Sequence, residues 1–222
     1  MDCAVGEGIG AKIMARAGGN ITGVDIDQAT IELASKGLEG LNVKLVCASA
    51  INLPFADGYF DMITSIETIE HLPTKLHQPM MTEFKRVLKK DGMLIVSTPN
   101  HERSSRGKIA PSNYFHLKEF TFDELSALME SLFVAEKKLG LYNPQREPSL
   151  EILRKSLTDT LNKPSKLSFK KKLLRLLPFW IKDLLSVLIN KKHIYPMKEE
   201  YIFIEQDADL AADLVFVMRN SK

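Results

Sequence analysis

Asp2-Cys3-Ala4-Val5-Gly6-Glu7-Gly8-Ile9-Gly10 is the stretch whose reading decides the fold. An acid at a strand end is followed by three glycines at alternate positions, and then by a helical run from about Ala11 to Ala17. Glycines let a backbone turn tightly and approach a ligand where a Cβ would intrude. Taken alone, the stretch has two further readings. Gly6-x-Gly8-x-x-Ala11 satisfies the dinucleotide fingerprint, whose loop and helix N-terminus hold a pyrophosphate, and an ordinary strand-to-helix turn uses similar residues.

Working outward, apolar periodicity predicts a strand at Ile21–Asp25, a helix at Gln28–Ser35 and strands at Val43–Cys47 and Phe60–Ser65. A helix at Pro79–Leu88, a turn at Lys90-Asp91-Gly92 and a strand at Met93–Ser97 follow. Strands and helices alternating at this spacing imply a parallel sheet covered on both faces, with ligands at the C-terminal ends of its strands. Beyond a loop at Asn100–Pro111, a helix at Phe122–Ser131 and strands at Phe133–Tyr142 and Leu214–Met218 complete the sheet. The expected organisation is a core over 1–142, a basic helical insertion over 143–212 and the last core strand in 213–222.

Composition narrows the partners. The 222 residues suffice for one α/β domain, and 30 Lys+Arg against 28 Asp+Glu leave a net charge of +2 that favours no polyanion, so no nucleic-acid partner is expected. Cys3 and Cys47 fall on or beside neighbouring core strands and read as buried thiols of a reducing compartment. No Cys/His run has metal-ligand spacing, so no metal is expected. No basic region followed by an apolar run opens the chain, and Leu173–Ile189 is interrupted by Arg175, Pro178, Lys182 and Asp183, which makes it a poor membrane span. A cytoplasmic protein is expected.

Asp25, in Gly23-Val-Asp25-Ile-Asp27, ends the second strand where a charged acceptor can take both hydroxyls of a ribose; Asp27 suits a helix cap. Read in order with Leu53-Pro-Phe55, Tyr59-Phe-Asp61, Glu70-His-Leu72, Arg86-Val-Leu88-Lys-Lys-Asp-Gly92 and Ser97-Thr-Pro-Asn100, these segments resemble the class I S-adenosylmethionine-dependent methyltransferases, type 11-like. The series covers about the first hundred residues. Asn113-Tyr-Phe-His116-Leu-Lys-Glu119-Phe is similar to a segment of the branch that modifies bacterial polysaccharides and sugars.

The resemblance implies an α/β fold with a Rossmann-like, seven-stranded, mostly parallel sheet, helices on both faces, an antiparallel final strand and a shortened first strand. It implies S-adenosyl-L-methionine as cofactor, with Asp2 and the loop Gly6, Glu7, Gly8 and Gly10 toward its amino acid part, Asp25 at the ribose, Ser49, Ala50 and Ile51 near adenine, and Ile26 and Glu67 as further cofactor-binding residues, Glu67 also being placed to orient His71 or to end its strand. Many relatives carry an acid where Ser49 stands, and a hydroxyl accepts the adenine amino group more weakly. Only Met1 precedes Asp2, whereas the family's first strand is longer, so the reading expects an N-terminally truncated chain.

Methyl transfer is an in-line displacement governed mainly by positioning, helped by a base when the acceptor is a neutral hydroxyl. His71 is the first candidate base, Glu70 its orienting acid, and His116 a second candidate from the loop that roofs the pocket; a structural role for each is the plain alternative. Tyr114 and Phe115 offer a ring face to an acceptor or anchor that loop.

The expected acceptor is a hydroxyl of a sugar or glycan intermediate in polysaccharide biosynthesis. A quinone-like or other small hydroxylated metabolite is the alternative, and a catalytically inactive binding module is the reading from another class. A dehydrogenase would need a second nucleotide-binding half, which the sequence does not show. Ser165–Lys192 holds eight Lys or Arg and one acid among many apolar residues. The insertion therefore fits a lid, a homodimer contact or a peripheral membrane element through 166–192, in which Phe179 and Trp180 would sit among Lys170–Lys172, Arg175, Lys191 and Lys192.

Overall fold

The computed structural model describes residues 1–104, 113–142 and 201–221. One eight-stranded sheet runs through them in the order β3-β2-β1-β4-β5-β8-β6-β7. The strands are β1 Asp2–Cys3, β2 Ile21–Asp25, β3 Val43–Cys47, β4 Phe60–Ile66, β5 Leu88–Pro99, β6 Val134–Tyr142, β7 Ile202–Ile204 and β8 Asp213–Arg219. The first five are parallel neighbours, while β8 runs antiparallel to β5 and to β6, and β7 antiparallel to β6. This is the expected Rossmann-like fold, with one strand more than the seven expected. The extra strand, β7, lies inside 143–212, so Ile202–Ile204 of the expected insertion belong to the sheet, and a 3₁₀ turn at Ala208–Leu210 leads from it toward β8. The rest of that insertion, including 166–192, lies outside the described residues.

The helices are α1 Ile9–Arg16, α2 Gln28–Gly37, α3 His77–Val87, α4 His101–Ser104 and α5 Phe122–Glu130. Local chemistry starts them. Gly8 enters α1 at φ 82, Asp27 caps α2 by accepting the Thr30 N–H at 3.0 Å, and Thr121 and Glu124 close a reciprocal capping box on α5. The turn expected at Lys90-Asp91-Gly92 does not precede the strand: β5 begins at Leu88 and runs through it, with Asp91 at a positive φ of 61.

Two apolar clusters flank the sheet. Val43 and Leu45 of β3 pack with Val5, Ala11, Ile31, Ala34 and Leu38. Val46, one pleat position on, packs with the larger cluster of Ile63, Met80, Phe84, Leu94, Leu125 and Phe216. Strand alternation therefore places α1 and α2 over one face and α3 and α5 over the other.

The short β1 lies between β2 and β4, pairing Asp2 with Gly23 and Thr64, and Cys3 with Val24 and Ser65. Met1 extends it, its amino group donating to the Met62 carbonyl at 2.7 Å and its carbonyl accepting the Thr64 N–H at 2.9 Å. Order β3-β2-β1-β4-β5 puts the reversal of winding between β1 and β4, the point at which sheets of this kind open a crevice.

Candidate functional site

The crevice is there. A cleft of about 370 Å³, in the size range of small-molecule sites, is walled by the C-terminal ends of β1, β2, β3 and β4. Asp25, Ile26, Ser49, Ala50, Ile51, Glu67 and His71, all singled out in the sequence, line it together. Cys3, Ala4, Val24, Ala48, Thr68, Leu72, Pro73 and Leu76 line it as well. Sequence reasoning missed these because wall residues of a cleft contribute mainly shape and backbone, for which a small or apolar residue gives no signal.

Asp25 fastens the glycine loop. Its Oδ2 accepts the Gly6 N–H and its Oδ1 the Asp27 N–H, each at 3.1 Å. An ionised carboxylate offers about four lone-pair sites, so capacity remains for a diol. Gly6 has φ 52, and a Cβ built there would meet nothing within 4 Å, so its conformation rather than crowding calls for glycine. Gly8 has φ 82 and faces Leu38.

Asp2, Gly6, Glu7, Gly8 and Gly10 are not among the cleft's lining residues. Asp2 is buried and accepts the Thr64 hydroxyl at 2.8 Å, and a Cβ on Gly10 would sit 2.9 Å from its Oδ2. Burial raises the Asp2 pKa, opposed by its bonds to Thr64 and to the Ala11 backbone and by the amino terminus. Asp2 thus braces the start of α1. Glu7 is exposed.

Glu67 departs from ordinary geometry, with φ 50 on a non-glycine residue at the end of β4. Glu67 is exposed at the cleft, with protein atoms crowded about its carboxyl. Desolvation first, then repulsion from Asp213, pushes its carboxyl up to about 8, although the Ser97 hydroxyl donates to it at 2.7 Å.

Glu70, His71 and His116 come together although His116 lies 45 positions after His71. A short 3₁₀ turn, Ile69–His71, carries the first pair. The segment after 112 is clipped to it by the Leu117 and Lys118 amides, which both donate to the Glu70 carbonyl, at 2.8 and 3.2 Å. His71 Nδ1 lies 3.0 Å from the Phe115 carbonyl, which leaves Nε2 with its lone pair in the neutral ring. Glu70 is buried, takes the Thr98 hydroxyl at 2.9 Å and has its pKa raised by desolvation. His116 is held by Glu119 at 2.9 Å and Asn113 at 2.9 Å. Tyr114 and Phe115 are 94% and 72% exposed, so they do not anchor the loop in the core. Cys3 is a buried free thiol as expected, but Cys47, at the end of β3, is exposed, its thiol donating to the Ile26 carbonyl at 3.4 Å.

The lining tests the cofactor directly. Among the described residues it contains no Lys or Arg, which opposes a pyrophosphate, and two acidic side chains, Asp25 and Glu67, the second with its carboxyl pushed up to about 8, so the lining offers a nucleoside acceptors and no cation. Exposed Ile26 and Ile51 supply apolar rims where an adenine would lie. Asp25, Ile26, Ser49, Ala50, Ile51 and Glu67 therefore fit S-adenosyl-L-methionine.

Comparisons with known proteins agree. Residues 1–96 match the family described as a methyltransferase domain. A Mycolicibacterium smegmatis protein named "probable S-adenosylmethionine-dependent methyltransferase" is 31% identical over 144 residues, covering 64% of this chain and 54% of that protein. A ubiquinone biosynthesis O-methyltransferase of Actinobacillus pleuropneumoniae is 33% identical over 107 residues, 45% of each chain. The chain thus spans about half the length of the curated relatives it matches. An S-adenosylmethionine-dependent methyltransferase structure from Thermotoga maritima superposes with a TM-score of 0.61 at 20% identity, over 100% of this chain and 80% of that one, and so shares the fold. Residues 1–96 are thus similar to a methyltransferase domain, and the fold and the lining of the cleft fit S-adenosyl-L-methionine.

Proposed function

We propose that this chain O-methylates a hydroxyl of a sugar or glycan intermediate. The observation that carries the reading is the cleft itself, which brings Asp25, the ribose acceptor, and the accessible His71 imidazole into one space at the switch point of the sheet. S-adenosyl-L-methionine, when bound, supplies an electrophilic methyl carbon. Asp25 holds the ribose, and Ala50 and Ile51 pack on the adenine. His71 Nε2 accepts the proton of the acceptor hydroxyl, its ring oriented by the Phe115 carbonyl. The exposed rings of Tyr114 and Phe115 give a sugar an apolar face beside His71.

A quinone-like acceptor is the second reading, favoured by the relative that acts in ubiquinone biosynthesis. Titration calorimetry with S-adenosylhomocysteine tests the cofactor site: saturable heat is expected, with affinity weakened about 10–100-fold in Asp25→Ala, the range for charge-assisted hydrogen bonds of about 1.5–3 kcal/mol. Absence of heat from the wild-type chain overturns the reading. Labelled methyl transfer to nucleotide sugars or to hydroxylated quinols separates the two acceptors.

A further inference from the structure

Glu70, His71 and His116 each offer a ligand atom, and these atoms lie within 4.8 Å of one another. We propose that the three form a binding site for one divalent transition-metal ion of the zinc class at the edge of the cleft.

The carboxylate supplies the first observation. Glu70 is fully buried and its Oε2 is engaged by Thr98, but its Oε1 has no hydrogen-bond partner. Leaving a buried carboxylate oxygen unmatched is costly, and a cation satisfies it. Oε1 faces His71 Nε2 at 3.9 Å. That span is too long for a hydrogen bond and close to the roughly 3.3 Å that separates two ligands of a tetrahedral ion bound at about 2.0–2.1 Å.

The imidazoles supply the second. A metal-ligating histidine characteristically donates its other ring N–H to a carbonyl or a carboxylate, which fixes the tautomer that ligates. Both rings do this here: His71 Nδ1 meets the Phe115 carbonyl at 3.0 Å, and His116 Nδ1 meets Glu119 Oε1 at 2.9 Å. Asn113 Oδ1 accepts the Phe115 N–H, so its Nδ2 is the group that donates to His116 Nε2, a neutral bond that an ion can displace. The rings meet edge to face with centroids 5.0 Å apart, and closing on an ion requires the ligand atoms to draw in by up to about 1.5 Å.

Two imidazoles and one carboxylate leave positions open, as in a catalytic rather than a structural zinc site. His71 lines the cleft, so an open position faces it. Resting on the transferase reading, that position takes the acceptor oxygen. The ion lowers the hydroxyl's pKa and its proton leaves to solvent, replacing direct abstraction by His71, whose Nε2 then holds the ion.

The test uses the whole chain, stripped by a chelator and titrated with Zn²⁺ or Co²⁺ alone. One ion per chain is expected, with visible Co²⁺ absorption of a four- or five-coordinate nitrogen-oxygen site, and protection of His71 from diethyl pyrocarbonate by Zn²⁺. His116→Gln and Glu70→Gln should each weaken binding at least about tenfold. Failure of the wild-type chain to bind stoichiometrically, an ion that leaves His71 unprotected, or undiminished binding in a folded His116→Gln chain each overturns the proposal. Calorimetry with S-adenosylhomocysteine on the same stripped preparation reports the cofactor cleft separately, so failure of the ion site and failure of the transferase reading are distinguishable.

Discussion

Glu67 combines a left-handed backbone with a carboxyl pushed from 4.5 to about 8 by desolvation and by Asp213. The sign of its effect on stability follows from where each state loses its proton. An unfolded chain releases it near 4.5, while the folded chain keeps it until about 8, so the folded state binds more protons between those values and stability falls as pH rises through that window. Glu67→Gln keeps an oxygen to accept the Ser97 hydroxyl and removes the titration. The expected outcome is a higher melting temperature than wild type at pH 8 and little difference at pH 4.5, read by thermal unfolding at both values. A gain of equal size at both would show that the titration of this carboxyl is not its source. Residue chemistry of this kind is invisible in sequence: Glu67 reads as an acid after a strand, and only its neighbours Ser97 and Asp213, 30 and more positions away, set its proton affinity.

At the scale of elements, the entry to α1 depends on Gly8. Its φ of 82 lies where an L-residue is strained by about 1–2 kcal/mol, and an added Cβ would stand 2.8 Å from Leu38 Cδ1. Gly8→Ala should therefore destabilise the chain by about that amount, seen as a lowered denaturation midpoint with an unchanged slope. An unchanged midpoint would mean that the loop adopts another path. The glycine run was legible in sequence because backbone strain is a local property that selects residue type directly. The caps at Asp27 and Thr121 were legible to the same degree, since side chain and amide lie within three residues. β5 was not: its continuation through Asp91 and Gly92 is imposed by β4, which pairs Phe60 with Leu88 and Met62 with Met93 across the irregularity.

For the whole molecule, closure depends on β8, the strand that joins β5 to β6. Asn220 fastens its end, with the buried amide Nδ2 donating to the Lys85, Leu88 and Lys89 carbonyls at 3.2, 3.1 and 3.2 Å. Removing that donor leaves buried carbonyls short of partners, a cost of about 1–3 kcal/mol. Asn220→Ala should lower the unfolding midpoint accordingly, and Asn220→Asp should lower it further by setting a carboxylate against three carbonyl oxygens. Equal stability of the two variants would argue against this anchoring role.

What the sequence by itself determined is the alternation of strands and helices, the bend at Gly6–Gly10 and Asp25 at the mouth of the second strand. Periodicity, turns and caps are decided within a few residues, so they can be read there. Tertiary structure alone decided that Asp2 braces α1 instead of lining the cleft, that Ile202–Ile204 adds an eighth strand, and that His116 meets Glu70 and His71. Those outcomes join residues that local propensity does not relate, and packing of the sheet with its covering helices selects among them.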